Sequence, residues 1–135
     1  MPFTVVGDIG RGLRMFKVGD EYTREEIHAA LGGSVQSYLP TVGGRVVAVC
    51  VTPRLNPRAP NVLLCGNGPI IASSGRALAS QRDPVPVFVK RGTNRWEYRG
   101  QFTPVASHSS GPTFEALVAG SSRELSDVSL ALELA

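Results

Sequence analysis

The sequence lacks what long regular elements and covalent staples require. None of its apolar runs approaches the roughly 18 to 20 residues that cross a bilayer, which excludes a membrane-spanning helix. Only two of 135 residues are cysteine, Cys50 and Cys65, too few for a disulfide scaffold. Both sit inside apolar runs, residues 46–51 and 62–65, so two buried thiols in a reducing compartment are expected. The opening Met-Pro-Phe-Thr has neither the basic start nor the apolar stretch of an export signal, and a cytoplasmic protein is expected. Fifteen glycines and ten prolines work against long helices and favour short elements joined by turns. With 42% apolar and 19% charged residues, the rest is an ordinary globular composition with length for one domain and one main core.

Acidic residues are scarce where the apolar runs lie. Residues 45–99 contain only Asp83 and Glu97, so the paired carboxylates of glycoside or metal-dependent phosphodiester chemistry are hard to assemble there. Asp83 precedes Pro84 and reads as a turn residue. The two histidines are far apart: His28 falls on a short helix and His108 in a Ser-rich stretch, with no zinc-ligand or HNH-nuclease spacing. Neither cysteine has a C-x-x-C partner, and Gly66-Asn67-Gly68 lacks the Gly-Lys-Ser/Thr ending of a phosphate loop. No catalytic or metal constellation emerges and no cofactor is implied. A binding module is expected rather than an enzyme.

Charge is segregated along the chain. The same residues 45–99 hold nine basic residues, so this stretch carries +7 while the flanks, with five basic and nine acidic residues, carry −4. Twelve of the fourteen basic residues are arginine, whose planar fork suits phosphate and base edges. A genome-wide preference for arginine explains the bias but not its segregation. One polyanion-facing side is expected, with Arg54, Arg58, Arg76, Lys90, Arg91 and Arg95 as phosphate-contact candidates.

Local signals place the elements. Thr23-Arg24-Glu25-Glu26 is a capping box, and Gly32-Gly33 supplies a stop, which predicts a helix over 24–31. Residues 45–51 and 61–65 are runs rich in β-branched or apolar residues and read as buried strands, the second closed by Gly66-Asn67-Gly68-Pro69. Ala and Leu at helical spacing predict a second helix over 73–81. Val85, Val87 and Val89 alternate with Pro86, Phe88 and Lys90, and Gly92-Thr93-Asn94 forms a turn. Trp96, Tyr98, Gly100 and Phe102 then line one face of a return strand, Trp96 as a core residue. Residues 107–112 read as a polar linker, 113–119 as a third short helix, and the two-residue period over 128–134 as a final strand. The sum is an α+β domain, mostly β: a curved sheet or open β-barrel with two or three short helices. Its core is expected over about 16–105, with 106–135 as a C-terminal extension.

The order of several motifs resembles a known family. Leu64-Cys65-Gly66-Asn67-Gly68, Gly75-Arg76-Ala77-Leu78-Ala79, Pro86-Val87-Phe88-Val89-Lys90-Arg91 and the stretch from Asn94 through Tyr98-Arg99-Gly100 to Phe102 run colinear with the SRA (YDG) domain, of the PUA-like superfamily, over roughly 34–105. Residues 22–28 and 32–40 are similar to the SRA-like modules of bacterial McrA-like, modification-dependent HNH restriction endonucleases. Two positions depart: the family's Tyr-Asp-Gly is Tyr98-Arg99-Gly100, and the aromatic that eukaryotic members place before the Gly-x-Gly turn is Leu64.

The resemblance implies a non-enzymatic reader of modified cytosine in double-stranded DNA, 5-methylcytosine, 5-hydroxymethylcytosine or a derivative. Such a reader flips the base into a pocket and serves modification-dependent restriction and phage defence in a bacterial cytoplasm, with an HNH nuclease domain or chain as partner. Ser34, Gln36, Ser37 and Tyr38 offer hydroxyl, amide and aromatic groups for such a pocket within five residues. Thr52 and Asn56 follow the first strand, where the family places an acidic reader of the exocyclic amine, and the Asn56 amide oxygen is expected to accept in its place. Leu64 and Cys65 complete the expected pocket. The alternatives are a PUA-like RNA-binding module and a regulatory module whose basic face binds an acidic protein.

Overall fold

The computed structural model describes residues 3–6 and 14–135. In chain order they form β1 (Phe3–Val6), β2 (Arg14–Lys17), β3 (Glu21–Tyr22), α1 (Arg24–Leu31), β4 (Thr41–Val42), β5 (Arg45–Val46), β6 (Val49–Val51) and β7 (Val62–Gly66). There follow α2 (Pro69–Ser80), β8 (Val85–Gly92), β9 (Arg95–Phe102), β10 (Pro104–His108), α3 (Pro112–Ala119) and β11 (Val128–Leu134). The class is α+β, with three helices among the described residues.

Two open sheets carry the fold. One has the order β3-β9-β8-β6, with β6 parallel to β8 and the other pairs antiparallel. The other has the order β10-β11-β7, antiparallel throughout. The main core lies between them. Val49 and Val51 of β6 and Val85, Val87 and Val89 of β8 meet Leu63 and Cys65 of β7, Leu130, Leu132 and Leu134 of β11, and Leu78 of α2. The outer face of the first sheet packs Cys50, Phe88, Trp96 and Tyr98 against Phe16 and against Ile27 and Ala30 of α1. The outer face of the second packs Val62, Leu64 and Ala131 against Phe114, Leu117 and Val118 of α3. Strands covered on both faces lose the polar alternation of a half-exposed sheet, which is why the sequence around β6 and β7 reads as continuous apolar runs.

The capping box forms as the sequence requires: the Thr23 hydroxyl accepts from Glu26 N–H at 3.1 Å, and Glu26 Oε1 accepts from Thr23 N–H at 2.9 Å. The helix stops at Gly32, at φ +84°, whose N–H donates to the His28 carbonyl at 2.7 Å. The β8–β9 hairpin and the final strand also stand where the alternation places them, and Trp96 is buried in the core.

Three elements differ from the sequence reading. The strand expected over 45–51 is split at Val47 and Ala48, because β5 turns back to pair with β4 while β6 joins β8. The second helix starts four residues early, at Pro69: Gly68 is its cap, and a proline at the first helical position gives up no hydrogen bond. Its end is also earlier. Gln81 leaves the helix and hydrogen-bonds both the N–H and the carbonyl of Val46, at 2.7 and 3.1 Å. The linker expected over 107–112 is in its first part strand β10, an edge strand whose polar Ser107 and His108 keep their ladder partners on β11. The segment 106–135 supplies β11, the central strand of its sheet, with Ala131 and Leu132 fully buried.

Candidate functional site

The site begins with a buried arginine. Arg24 opens α1, where the first-turn N–H groups have no partner within the helix. Its own N–H donates to Asn94 Oδ1 of the β8–β9 turn at 2.9 Å, and its guanidinium packs 5.1 Å from the Trp96 ring centroid. From there Nη2 donates to the carbonyls of Ser34 and Ser37, both at 2.8 Å. The Ser34 hydroxyl accepts from the N–H groups of Gln36 and Ser37, and the Ser37 hydroxyl from Leu39 N–H. Both hydroxyls therefore shape the loop. Gln36 is exposed, and Tyr38, two-fifths exposed, stands beside its mouth.

Opposite this loop lie the end of β7 and the start of α2. Leu64 N–H donates to Asn56 Oδ1 at 2.7 Å, while Leu64 C=O accepts from Arg123 Nη1 at 2.9 Å. The next two carbonyls, of Cys65 and Gly66, accept from the Ser129 hydroxyl at 3.3 and 2.7 Å, and Asn67 Nδ2 donates to the Ser126 carbonyl. The C-terminal segment thus holds the β7 end residue by residue. Gly75 of α2 lets the helix lie close on it: a Cβ there would stand 2.8 Å from Cys65 Sγ.

Between these walls is a cavity of about 140 Å³. It is lined by Tyr38, Leu39, Val51, Leu55, Asn56, Leu63, Leu64, Cys65, Gly66, Ile71 and Arg123. Past Tyr38 and Ile71 it continues into a shallower groove bordered by Ser34, Gln36, Ser37, Ile70 and Ser74. Among the described residues, Arg123 is the only charged side chain on this surface. A cavity of this volume holds a single six-membered ring, since an engineered apolar cavity of about 150 Å³ binds benzene.

Seven of the eight expected pocket residues, Ser34, Gln36, Ser37, Tyr38, Asn56, Leu64 and Cys65, border this one surface, although they come from three separate stretches of chain. Thr52 does not: its carbonyl caps the turn to Asn56 N–H at 2.9 Å, and its hydroxyl is buried without a hydrogen bond among the described residues. Asn56 lines the cavity. Its oxygen already serves the β7 backbone, which leaves Nδ2, a donor, without a hydrogen bond among the described residues. Burial raises the Cys65 thiol to about 11 and the Cys50 thiol to about 12, so both are protonated near neutral pH.

The basic candidates divide into two sets. Arg91 Nε pairs with Glu97 at 2.6 Å, and Arg95 grips both oxygens of Glu21 at 2.8 and 3.1 Å, holding that carboxyl below its ordinary range. Lys90 lies 5.7 Å from the Trp96 ring centroid. Arg54, Arg58 and Arg76 are exposed and form no ion pair among the described residues. Sequence reasoning passed over Arg24, Leu55, Ile70, Ile71 and Arg123. Nothing local marks Arg24 as buried or Arg123 as a wall, because both meet the site through long-range contacts.

Among the described residues, no three His, Cys, Asp or Glu side chains gather so as to hold a metal ion, and no helix is long and apolar enough to cross a membrane. His108 meets Glu133 at 2.8 Å across β10 and β11, and His28 Nδ1 faces the Gly33 carbonyl. Fold and site together define a two-sheet α+β domain with a ring-sized cavity at the end of β7, an edge strand of its sheet. The chain belongs to the family described as a domain of unknown function (DUF6697), which matches residues 21–117, from β3 into α3. No curated protein and no solved structure matches it.

Proposed function

We propose that this domain reads a modified cytosine in double-stranded DNA by taking the base out of the helix and holding it in the cavity beneath Tyr38. The observation that carries this reading is the coincidence of two things. The cavity has the volume of one planar ring, and Tyr38, Leu39 and Leu64-Cys65-Gly66, from two of the stretches in which the sequence resembles SRA-type domains, border it. Extruding a base costs a few kcal/mol, which stacking and edge hydrogen bonds must offset. Stacking on one aromatic side chain contributes about 1–3 kcal/mol, and Tyr38 is the aromatic placed for it. Asn56 Nδ2 and Arg123 supply donors for the base edge. Ile70, 78% exposed at the lip of the groove, has the apolar character of side chains that enter a base step. Arg54, Arg58 and Arg76 supply phosphate contacts, and cleavage of the marked DNA belongs to an HNH nuclease domain or partner.

The test is titration of one labelled duplex bearing cytosine, 5-methylcytosine, 5-hydroxymethylcytosine or glucosylated hydroxymethylcytosine at a single site, at fixed near-physiological salt. Preference for a modified form supports the reading, and the largest form accepted measures the space beside C5. Equal binding to all four overturns it and makes structured RNA the next ligand to try.

A further inference from the structure

Among the described residues, Arg123 is the one charged group on an otherwise neutral, largely hydrocarbon surface. Of its five N–H donors, Nη1 is fixed to the Leu64 carbonyl at 2.9 Å. Nη2 lies against Gly66, 3.3 Å from where a Cβ would stand, so the absence of a side chain at 66 gives the guanidinium its seat at the strand end. Its own backbone is pinned as well, by Arg123 N–H donating to the Ser121 hydroxyl at 3.1 Å. Nε and Nη2 have no hydrogen-bond partner among the described residues, and Arg123 forms no ion pair there. Among the described residues, no carboxylate lines the cavity or the groove beyond it. Asn56, which also lines the cavity, offers Nδ2 as a donor while its oxygen accepts from Leu64 N–H.

Arg123 is half-buried, and a partly desolvated guanidinium facing an apolar cavity favours whatever brings an acceptor to its free N–H groups. We infer that Arg123 is a specificity-determining residue and that the cavity selects a base presenting an oxygen acceptor to its guanidinium. This rests on the reading of the domain as a flipped-base binder. The acceptor has two sources: a ring carbonyl, or an oxygen on the C5 substituent as in hydroxymethyl or carboxyl derivatives. A plain methyl group satisfies none of the guanidinium donors, whereas a carboxyl group adds charge-assisted hydrogen bonds. Arg123 lies beyond the part of the chain matched by the family, so this selectivity belongs to the C-terminal segment that encloses the site.

The experiment compares the wild type with Arg123→Met and Arg123→Lys on four duplexes carrying cytosine, 5-methylcytosine, 5-hydroxymethylcytosine or 5-carboxylcytosine, across a salt series. Circular dichroism and thermal melting check that each variant is folded, and Arg123→Lys keeps the charge should the Met variant fail to fold. Wild-type discrimination among the duplexes tests the functional reading. The change made by Arg123→Met tests the inference. A loss of about tenfold or more confined to the hydroxymethyl and carboxyl forms, partly restored by Arg123→Lys, supports it and assigns the acceptor to the substituent. A similar loss on all four with an unchanged salt slope supports it and assigns the acceptor to the ring. Loss on all four with the salt slope reduced by about one marks a phosphate contact and overturns it. So does undiminished binding by a folded variant.

Discussion

Arg24 and Ser37 are thirteen residues apart, yet the Nη2 of the first donates to the carbonyl of the second at 2.8 Å, and the same nitrogen holds Ser34. Only 6% of Arg24 is exposed, and it has no carboxylate partner among the described residues. Its charge is balanced by carbonyl dipoles and by the face of Trp96. The arginine is therefore a positioning residue for the loop that carries Tyr38. Arg24→Gln should cost about 2–3 kcal/mol in urea denaturation, because charge-assisted hydrogen bonds are lost in a buried place. Arg24→Lys, with a single point of attachment, should retain more stability and still loosen the loop. The readout beyond stability is the ratio of affinities for modified and plain duplexes, which should fall for both variants. An unchanged ratio would remove the loop from the site.

Tyr38→Ala should reduce that same ratio more than it reduces overall affinity, since stacking acts only on the captured base. Ile70→Ala carries a different expectation. An apolar side chain that enters the base step lowers the cost of opening a paired site, so its loss should weaken binding to a fully paired duplex. A duplex already mismatched at the modified base should be affected much less. Equal losses on paired and mismatched DNA would show that Ile70 takes no part in opening.

The two sets of basic residues should separate in a salt titration. Each phosphate contact contributes about 0.9 to the slope of log affinity against log salt on duplex DNA. Arg54→Ala and Arg76→Ala, which remove exposed and unpaired charges, should each reduce the slope by about that amount. Arg91→Ala and Arg95→Ala should reduce it less, because Glu97 and Glu21 already offset these charges. A full unit lost at Arg91 or Arg95 would mean that DNA displaces the glutamates.

Gly75→Ala should destabilise the fold by about 1–3 kcal/mol through overpacking. The added methyl would meet Cys65 Sγ at 2.8 Å and Cys65 Cβ at 3.3 Å, both on a buried strand. Combining it with Cys65→Ala removes the sulfur but not the Cβ contact. The double variant should therefore be more stable than the sum of the single effects, a coupling that a denaturation cycle measures. Additivity would show that α2 moves away from β7 instead.

Burial also sets a pH dependence. Cys50 is raised from 9.0 to about 12 and Cys65 from 9.0 to about 11, so the folded state keeps two protons that the unfolded chain releases earlier. This contribution to stability is complete below about pH 9 and is lost as pH rises through the window up to the folded values. The urea midpoint of the wild type should accordingly fall more steeply between about pH 9 and about pH 11 than that of Cys50→Ala. Parallel curves would mean that Cys50 ionises freely in the folded protein.

Much of the fold is written in short-range signals. The capping box at Thr23 and Glu26, the Gly32 stop, the valine alternation of β8 and the two-residue period of β11 depend on neighbours a few residues away, and each forms where its pattern lies. Two of the three differences share a cause. Whether residues 45–51 make one strand or two depends on a partner, β8, about forty residues downstream, and whether Ser107 and His108 are linker or strand depends on β11. Pairing of that kind leaves no local trace. The site divides in the same way. Its polar loop and its glycine turn are legible as sequence, because hydroxyls, amides and glycines gather there. That Arg24 lies buried under the loop, that the Asn56 oxygen is turned to the β7 backbone, and that Arg123 reaches back to the Leu64 carbonyl were decided by tertiary structure. A buried charge is placed by the carbonyls it can reach, and folding alone brings those carbonyls to it.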